Sequence, residues 1–230
     1  MFKENSNSCK DCKCRWRNFN ALTEDELNLI NDSRYEASFK AGEIIFKQGS
    51  PTSSGVFLTD GLAKVYMEGY DGKNIILSIV KPGELIVGPG AYVDNRHHYS
   101  LAAITETTAC FVDISVLKKM VHENSLFAEG FLKDISFKSL QTFNKLVSFS
   151  QKKMHGRLAE GIMHLSNNIY RADKFPCPLT RQELGEFTGM TKESVVRLLK
   201  EFHDEGIIST KDRSIEILNK PKLEKIMISG

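Results

Sequence analysis

Hydrophobic and polar positions change period twice along the chain. Residues 1–20 are polar and cysteine-bearing, with no apolar period. Thr23-Glu24-Asp25-Glu26-Leu27 then has the form of a capped helix start: a Thr, acids in the first turn, and Leu27, Leu29 and Ile30 following. From about Ser38 to Ile114 the pattern is that of short strands, at 43–47, 55–58, 63–67, 74–80, 102–105 and 109–114, separated by glycine-bearing turns. Asp71-Gly72 between two of these runs is a hairpin signal, because a type I′ turn needs positive φ at both central positions. Regularly spaced short strands predict a small barrel or sandwich and not a βαβ sheet. After Leu126 the period becomes helical. The stretch to about Gln151 has no Pro, and its only Gly is Gly130. Leu132 and Leu146, and likewise Ile135, Thr142 and Phe149, fall on seven-residue spacings. Such a stripe packs on its own domain or pairs with a copy of itself, although Ser139 and Thr142 weaken it as a plain zipper. A further helix is predicted over 157–170, broken by Phe175-Pro176-Cys177-Pro178.

The most specific pattern follows. Thr180-Arg181-Gln182-Glu183 is a capping box, in which Thr180 accepts from the Glu183 amide while the carboxylate returns to the cap's own N–H. The helix carries Leu184, Gly185 and Phe187 and stops at Gly189, which can take the left-handed conformation of a tight turn. Gly185, four residues earlier, lets two helices cross closely. Thr191 restarts a helix with Glu193 in its first turn and Val195, Leu198, Leu199 and Phe202 on its buried face. Lys192, Glu193, Val196, Arg197 and Lys200 are left outside. Apart from Val196 these are residue types that read a major groove: Arg to guanine, Glu to cytosine, Lys to guanine or phosphate. Thr180, Arg181 and Gln182 stand at a helix N-terminus, where backbone amides attract phosphate. Residues 206–209 and 214–217, joined through Lys211-Asp212-Arg213, form a short hairpin suited to a wing against the DNA backbone.

Composition narrows the classes. With 230 residues, 41% apolar and a net charge of +2, the chain is neither a polybasic scaffold nor an acidic disordered tail. From Pro178 onward nine basic residues balance nine acidic ones, while 145–174 carries six against two. No apolar run of 18 residues spans a membrane, and Met1-Phe2-Lys3-Glu4-Asn5 lacks the core of an export signal, so a cytoplasmic location is expected. Five cysteines in such a chain read as thiols or metal ligands and not as a disulfide framework. No nucleophile–base pair, phosphate loop or dinucleotide fingerprint marks an enzyme, and no catalytic residue is assigned. The adjacent His97 and His98 make no metal constellation, and Cys177, between two prolines, reads as structural.

Thr180-Arg181-Gln182-Glu183-Leu184-Gly185 through Thr191-Lys192-Glu193-Ser194-Val195-Val196-Arg197-Leu198-Leu199 resembles the DNA-binding element of the Crp/Fnr family of bacterial transcription regulators. Upstream, Lys40-Ala41-Gly42-Glu43, Gly49, Phe57, Gly61 and Lys64-Val65 resemble that family's β-roll. The likeness covers roughly 22–220. It implies an α+β fold: a cysteine-bearing arm (1–20), a double-stranded β-roll sensor of the cyclic-nucleotide-binding type (21–125), a long dimerisation helix (126–152) and a winged helix-turn-helix (153–230). Carried over by position, Lys192, Glu193 and Arg197 contact bases, while Arg181, Gln182, Thr191 and Ser194 hold phosphates. A homodimer then binds an inverted-repeat operator in double-stranded DNA, with RNA polymerase as a further partner.

The resemblance leaves the signal open. Where cyclic-nucleotide members hold the phosphate, this chain has Pro89-Gly90, Ser100-Leu101 and Thr142-Phe143, and only Thr142 matches. Without an arginine there, a cyclic phosphate loses its bidentate partner, so cyclic AMP is not expected. Arg96 lies nearby but needs a different loop path. Cys9, Cys12 and Cys14 with Cys110 resemble the four ligands of the iron–sulfur cluster in the oxygen-sensing Fnr branch. The departure is at Cys14, because the third family cysteine belongs near Arg17 or Asn18. Zinc, a thiol switch and a disordered arm without ligand are the other readings of these cysteines. A redox or electron-transfer protein built on the arm is the alternative from another class.

Overall fold

A computed structural model describes residues 8–230. After a 3-10 turn at Arg17–Ala21, helix α1 (Glu24–Asp32) opens on the expected cap, with both halves of the Thr23/Glu26 capping box formed. Eight strands follow: β1 (Arg34–Phe39), β2 (Ile44–Phe46), β3 (Ser54–Asp60), β4 (Ala63–Glu68), β5 (Asn74–Val80), β6 (Leu85–Ile86), β7 (Ser100–Ala103) and β8 (Thr107–Asp113), with the short helix α2 (Gly90–Val93) before β7. They form two four-stranded sheets in the orders β1-β8-β3-β6 and β2-β7-β4-β5. Their pairings are antiparallel, as a roll requires and a βαβ sheet does not. Asp71 (φ 56°) and Gly72 (φ 70°) adopt the double positive φ expected of that hairpin turn. In β3 the run Val56-Phe57-Leu58 is buried throughout, because the strand is covered on both faces.

Helices α3 (Ile114–Glu123) and α4 (Ser125–Gln151) follow the roll. Beyond them come α5 (Met154–His164), a π-helical turn at Leu165–Tyr170, β9 (Lys174–Pro176), α6 (Arg181–Thr188), α7 (Lys192–Asp204), β10 (Ile208–Ser209), β11 (Ser214–Ile217) and α8 (Lys220–Ser229). The last three strands make a sheet in the order β10-β11-β9. The chain divides into two compact units, one of residues up to Glu68 with Ser78–Leu140, the other of Gly69–Leu77 with Gln141–Gly230. No helix among the described residues is long and apolar enough to cross a membrane.

Three expectations need correction. The described part of the arm is not disordered: Cys9, Trp16 and Phe19 are buried with Ile30, Phe57, Cys110, Phe127 and Phe131 in one cluster. Trp16 meets Phe127 edge-on at 5.5 Å, and its indole N–H donates to Asp134 at 2.7 Å. The arm shows no apolar period because turns, not a regular element, carry these side chains. Gly130 has its reason here as well, since a Cβ there would run into the carboxamide of Asn18, which donates to the Phe127 carbonyl at 2.7 Å. Second, the apolar stripe of α4 is displaced from the seven-residue reading. At ~100° per residue, Phe127, Phe131, Lys145 and Phe149 fall within about 40° of one another, and Leu132, Ile135, Leu140, Phe143, Leu146 and Val147 spread over the adjoining ~140°. The latter six are all exposed, and Phe149 is turned away from them. Third, Phe175-Pro176 does not simply break structure: it forms β9 on the edge of its sheet, where the missing proline N–H is tolerated.

Candidate DNA-binding surface and cysteine cavity

The helix-turn-helix is built as its caps dictate. Thr180 Oγ1 accepts from the Glu183 amide at 3.1 Å, and the Thr180 amide donates to Glu183 Oε2 at 2.8 Å. Gly189 sits at φ 66° and ψ 41° with its N–H on the Gly185 carbonyl, ending α6. Gly185 makes its close approach to the turn, not to the flank of α7: a Cβ there would lie 2.6 Å from the Met190 carbonyl oxygen. Thr191 caps α7, its Oγ1 accepting from the Ser194 amide at 3.3 Å and donating to Ser194 Oγ at 3.2 Å. Val195, Leu198, Leu199 and Phe202 are buried as their spacing requires.

Opposite that face, Lys192, Glu193, Val196, Arg197 and Lys200 are exposed. Among the described residues the four charged ones enter no ion pair, whereas other charges of this unit do: Lys174 with Glu216, Lys220 with Asp173, Lys222 with Glu205, His155 with Glu201. On α6 Gln182 is exposed and donates to Glu186 at 3.2 Å, and Arg181 is half-buried. Thr191 and Ser194 are thus engaged in the cap; of the other five candidates, Arg181 and Gln182 lie in the first turn of α6, Lys192 and Glu193 in the first turn of α7, and Arg197 in its second. The wing turn holds Asp212 and Arg213 at φ 52° and 56°.

A brace behind the turn escaped the sequence. Arg157 of α5 donates to the Gly189 carbonyl at 2.8 Å, and a Cβ on Gly189 would lie 3.1 Å from the Phe149 ring. Lys145 places its ammonium 4.0 Å from the Phe187 ring centroid. Burial pushes the Lys145 pKa down to about 7, opposed by the Glu160 carboxylate. In sequence these residues read only as a basic stretch.

In the other unit Cys9, Cys12, Cys14 and Cys110 line one cavity of about 110 Å³, together with Arg34, Trp16 and Phe57. Cys9 and Cys110 are buried, Cys12 and Cys14 half-buried. The Arg34 guanidinium donates to Cys110 Sγ at 3.7 Å. Burial raises the Cys9 and Cys14 thiols and lifts Cys110 to about 11, with Arg34 opposing it at Cys9 and Cys110. No three His, Cys, Asp or Glu among the described residues are grouped to hold a single metal ion. Cys177 is buried, its thiol 3.9 Å from the Leu179 carbonyl.

The residues matched to a nucleotide phosphate pocket are differently placed. Ser100 and Leu101 of β7 are fully buried, with Ser100 Oγ accepting from the Gln48 amide at 2.9 Å. Pro89 and Gly90 start α2, where a Cβ on Gly90 would lie 2.7 Å from the His98 ring. Arg96 is exposed and donates to the Gly49 carbonyl at 2.8 Å. His97 stacks on Phe46 while His98 faces Asp94, so the adjacent rings point apart. Thr142 is exposed on α4.

The model of the Crp-like helix-turn-helix domain matches residues 156–226, and that of the cyclic nucleotide-binding domain matches 36–124. Electron transport regulator A of Shewanella oneidensis is 26% identical over 94% of this chain and 88% of its own length. The nitrogen fixation regulation protein FixK of Bradyrhizobium diazoefficiens is 22% identical over 98% and 96%. The solved structure of FixK2 from Bradyrhizobium japonicum superposes with a TM-score of 0.77 over 84% of this chain and 96% of its own, at 22% identity, a likeness of fold.

Proposed function

The chain belongs to the Crp/Fnr family of transcription regulators, and on that premise we propose that it acts as a homodimer on an inverted-repeat operator, with RNA polymerase as its further partner. Lys192, Glu193 and Arg197 read bases, while Arg181, Gln182, Thr191 and Ser194, with the free amides of the helix N-termini, hold phosphates. The observation that carries this reading is the outer face of α7, whose charges enter no ion pair among the described residues, in a unit that otherwise pairs many of its own. Dimerisation is supported by α4, which in a single chain leaves seven large apolar side chains exposed from Leu132 to Val147, Phe137 among them. Two copies joined there present two α7 helices about one DNA turn apart.

We assign reception of the signal to the cysteine cavity. The loop of Pro89 and Gly90 is filled by its own chain, and Ser100 and Leu101 face no solvent. The four thiols fit the iron–sulfur cluster that the resemblance implies: they line one space, and Arg34 and Arg15 stand by to offset thiolate charge, opposing the burial that raises the Cys9 thiol. Cys9, Cys12, Cys14 and Cys110 would hold the cluster, which supplies redox chemistry sensitive to oxygen. Whatever fills the cavity presses on the arm, and the arm is fastened to α4 through Trp16–Asp134 and Asn18–Phe127. A ligand that prefers one arm position thereby shifts the population of α4 arrangements competent for DNA.

Selection from a random oligonucleotide pool with the full chain, prepared without oxygen, is the test. A palindrome is expected, and Arg197→Ala should cost about 1–3 kcal/mol and relax one base position. An Arg197→Ala footprint unchanged in affinity and sequence refutes the assignment of α7. Iron, sulfide and zinc analysis of the same preparation tests the cavity, and a colourless, metal-free protein with tight operator binding rejects the cluster.

A further inference from the structure

Burying the Lys145 ammonium costs the fold stability, and nothing in the packing around it requires a charge. The side chain leaves α4 and ends among β5, α5 and α6, within the unit of Gly69–Leu77 and Gln141–Gly230. Its ammonium donates to the Leu77 carbonyl at 3.5 Å and lies 4.0 Å from the Phe187 ring centre and 5.5 Å from that of Phe149. Glu160 supplies the opposing charge, and its carboxylate is shared with the Ser148 hydroxyl and with Lys152 at 3.3 Å. Methionine has nearly the same length and fills such a place without taking a charge out of water. Stability alone therefore gives no reason for a lysine here.

What the charge adds is direction. Phe187 stands in the last turn of α6, two residues before Gly189, where the chain turns toward α7. Arg157 holds the Gly189 carbonyl at 2.8 Å and, like Lys145, faces Phe149, 5.9 Å from its ring centre. Two cations thus share the Phe149 ring and grip the end of α6, one by its aromatic side chain and one by its backbone. A cation over an aromatic face is held there by the ring quadrupole, whereas a methyl group slides over the same ring with little change in energy. Resting on the DNA-binding reading above, we propose that Lys145 is a positioning residue for operator binding, which sets the pose of α6, and with it the first turn of α7, through the Phe187 ring. It acts from behind the turn and contacts no base or phosphate. A neutral side chain keeps the fold but widens the range of α6 poses, and binding must then narrow that range at the expense of affinity.

The test is a double-mutant cycle on the full-length chain, with the palindrome enriched from the random pool as the ligand. Affinity and urea midpoint are measured at pH 6, where the ammonium is charged, for wild type, Lys145→Met, Phe187→Leu and the double variant. Lys145→Met should weaken the complex about fivefold, the scale of one desolvated cation–π contact, while its urea midpoint rises. A loss of affinity joined to a gain in stability separates positioning from damage to the fold. Phe187→Leu should also weaken binding, and adding Lys145→Met to it should change affinity by less than about 1.5-fold, because the lysine acts through the ring. Should Phe187→Leu fail to fold, Lys145→Met decides alone. Lys145→Met with wild-type affinity, or with stability lost along with affinity, overturns the proposal and leaves the DNA-binding reading intact. The same holds if its loss is equal with and without Phe187. A pool that enriches no sequence overturns both.

Discussion

Replacing Trp16 with alanine tests whether the cysteine arm belongs to the folded sensor. The indole is 4% exposed, and its ring centre lies within 5.5–6.3 Å of those of Phe19, Phe57, Phe127 and Phe131. A buried tryptophan removes roughly 150–250 Å² from water, about 4–6 kcal/mol as an upper figure at ~25 cal/mol per Å². Partial collapse of the cavity and measured truncations of aromatic residues bring the expected loss to about 3–5 kcal/mol. Trp16→Phe keeps a six-membered ring but gives up the rest of the indole and its donor to Asp134, a half-exposed carboxylate that can turn to water, so about 1–2 kcal/mol is expected. Urea unfolding followed by circular dichroism measures both. Because Trp16 is the only tryptophan of the chain, its fluorescence reports on the arm without labelling. Blue-shifted emission in the native state, moving red together with the circular dichroism transition, is expected. An alanine variant within 1 kcal/mol of wild type, or native emission already that of an indole in water, refutes the packing of the arm.

Two further outcomes follow from single side chains. Lys145 has a folded pKa of about 7 against an ordinary 10.5, so the unfolded chain binds the extra proton in between. Its contribution is best above about pH 10.5, declines as pH falls through that window and reaches its floor below about 7. Lys145→Met should therefore raise the urea midpoint most below pH 7 and flatten its rise toward pH 10, and equal slopes for the two proteins would refute the burial of this ammonium. Phe143→Asp on the exposed stripe of α4 should leave the single chain folded yet convert a dimer to monomers in sedimentation, costing more than about 5 kcal/mol of association from two lost rings and two unpaired carboxylates. A dimer that survives Phe143→Asp would place the interface elsewhere.

What the sequence disclosed and what it hid follow from the range of the interactions concerned. Caps and turns are local: Thr23, Asp71-Gly72, Thr180 and Gly189 announce their conformations within four residues, and each is found in the state its neighbours dictate. The buried row of α7 is likewise legible, since one face of one helix repeats every three or four residues. Strands β1 and β6 went unseen for opposite reasons. Arg34–Phe39 is an edge strand interrupted by polar and small residues, and Leu85–Ile86 is too short to show any alternation. The arm was misjudged because its three anchors have no period and bury only through partners up to 118 residues away, the separation of Trp16 from Asp134. The convergence of Cys9, Cys12, Cys14 and Cys110 on one cavity is equally non-local. Their spacing signalled a ligand set, and the tertiary fold supplies a common space.

The same reasoning applies to the exposed apolar residues of α4. A lone one on a surface is ordinary and needs no explanation. The six on α4 differ because they form one stripe beside the flank of the helix that carries Phe127, Phe131 and Phe149, so the apolar surface of the helix is wider than a single chain covers. Continuity on α4 calls for a large dry partner of the same shape, hence a second copy of the helix.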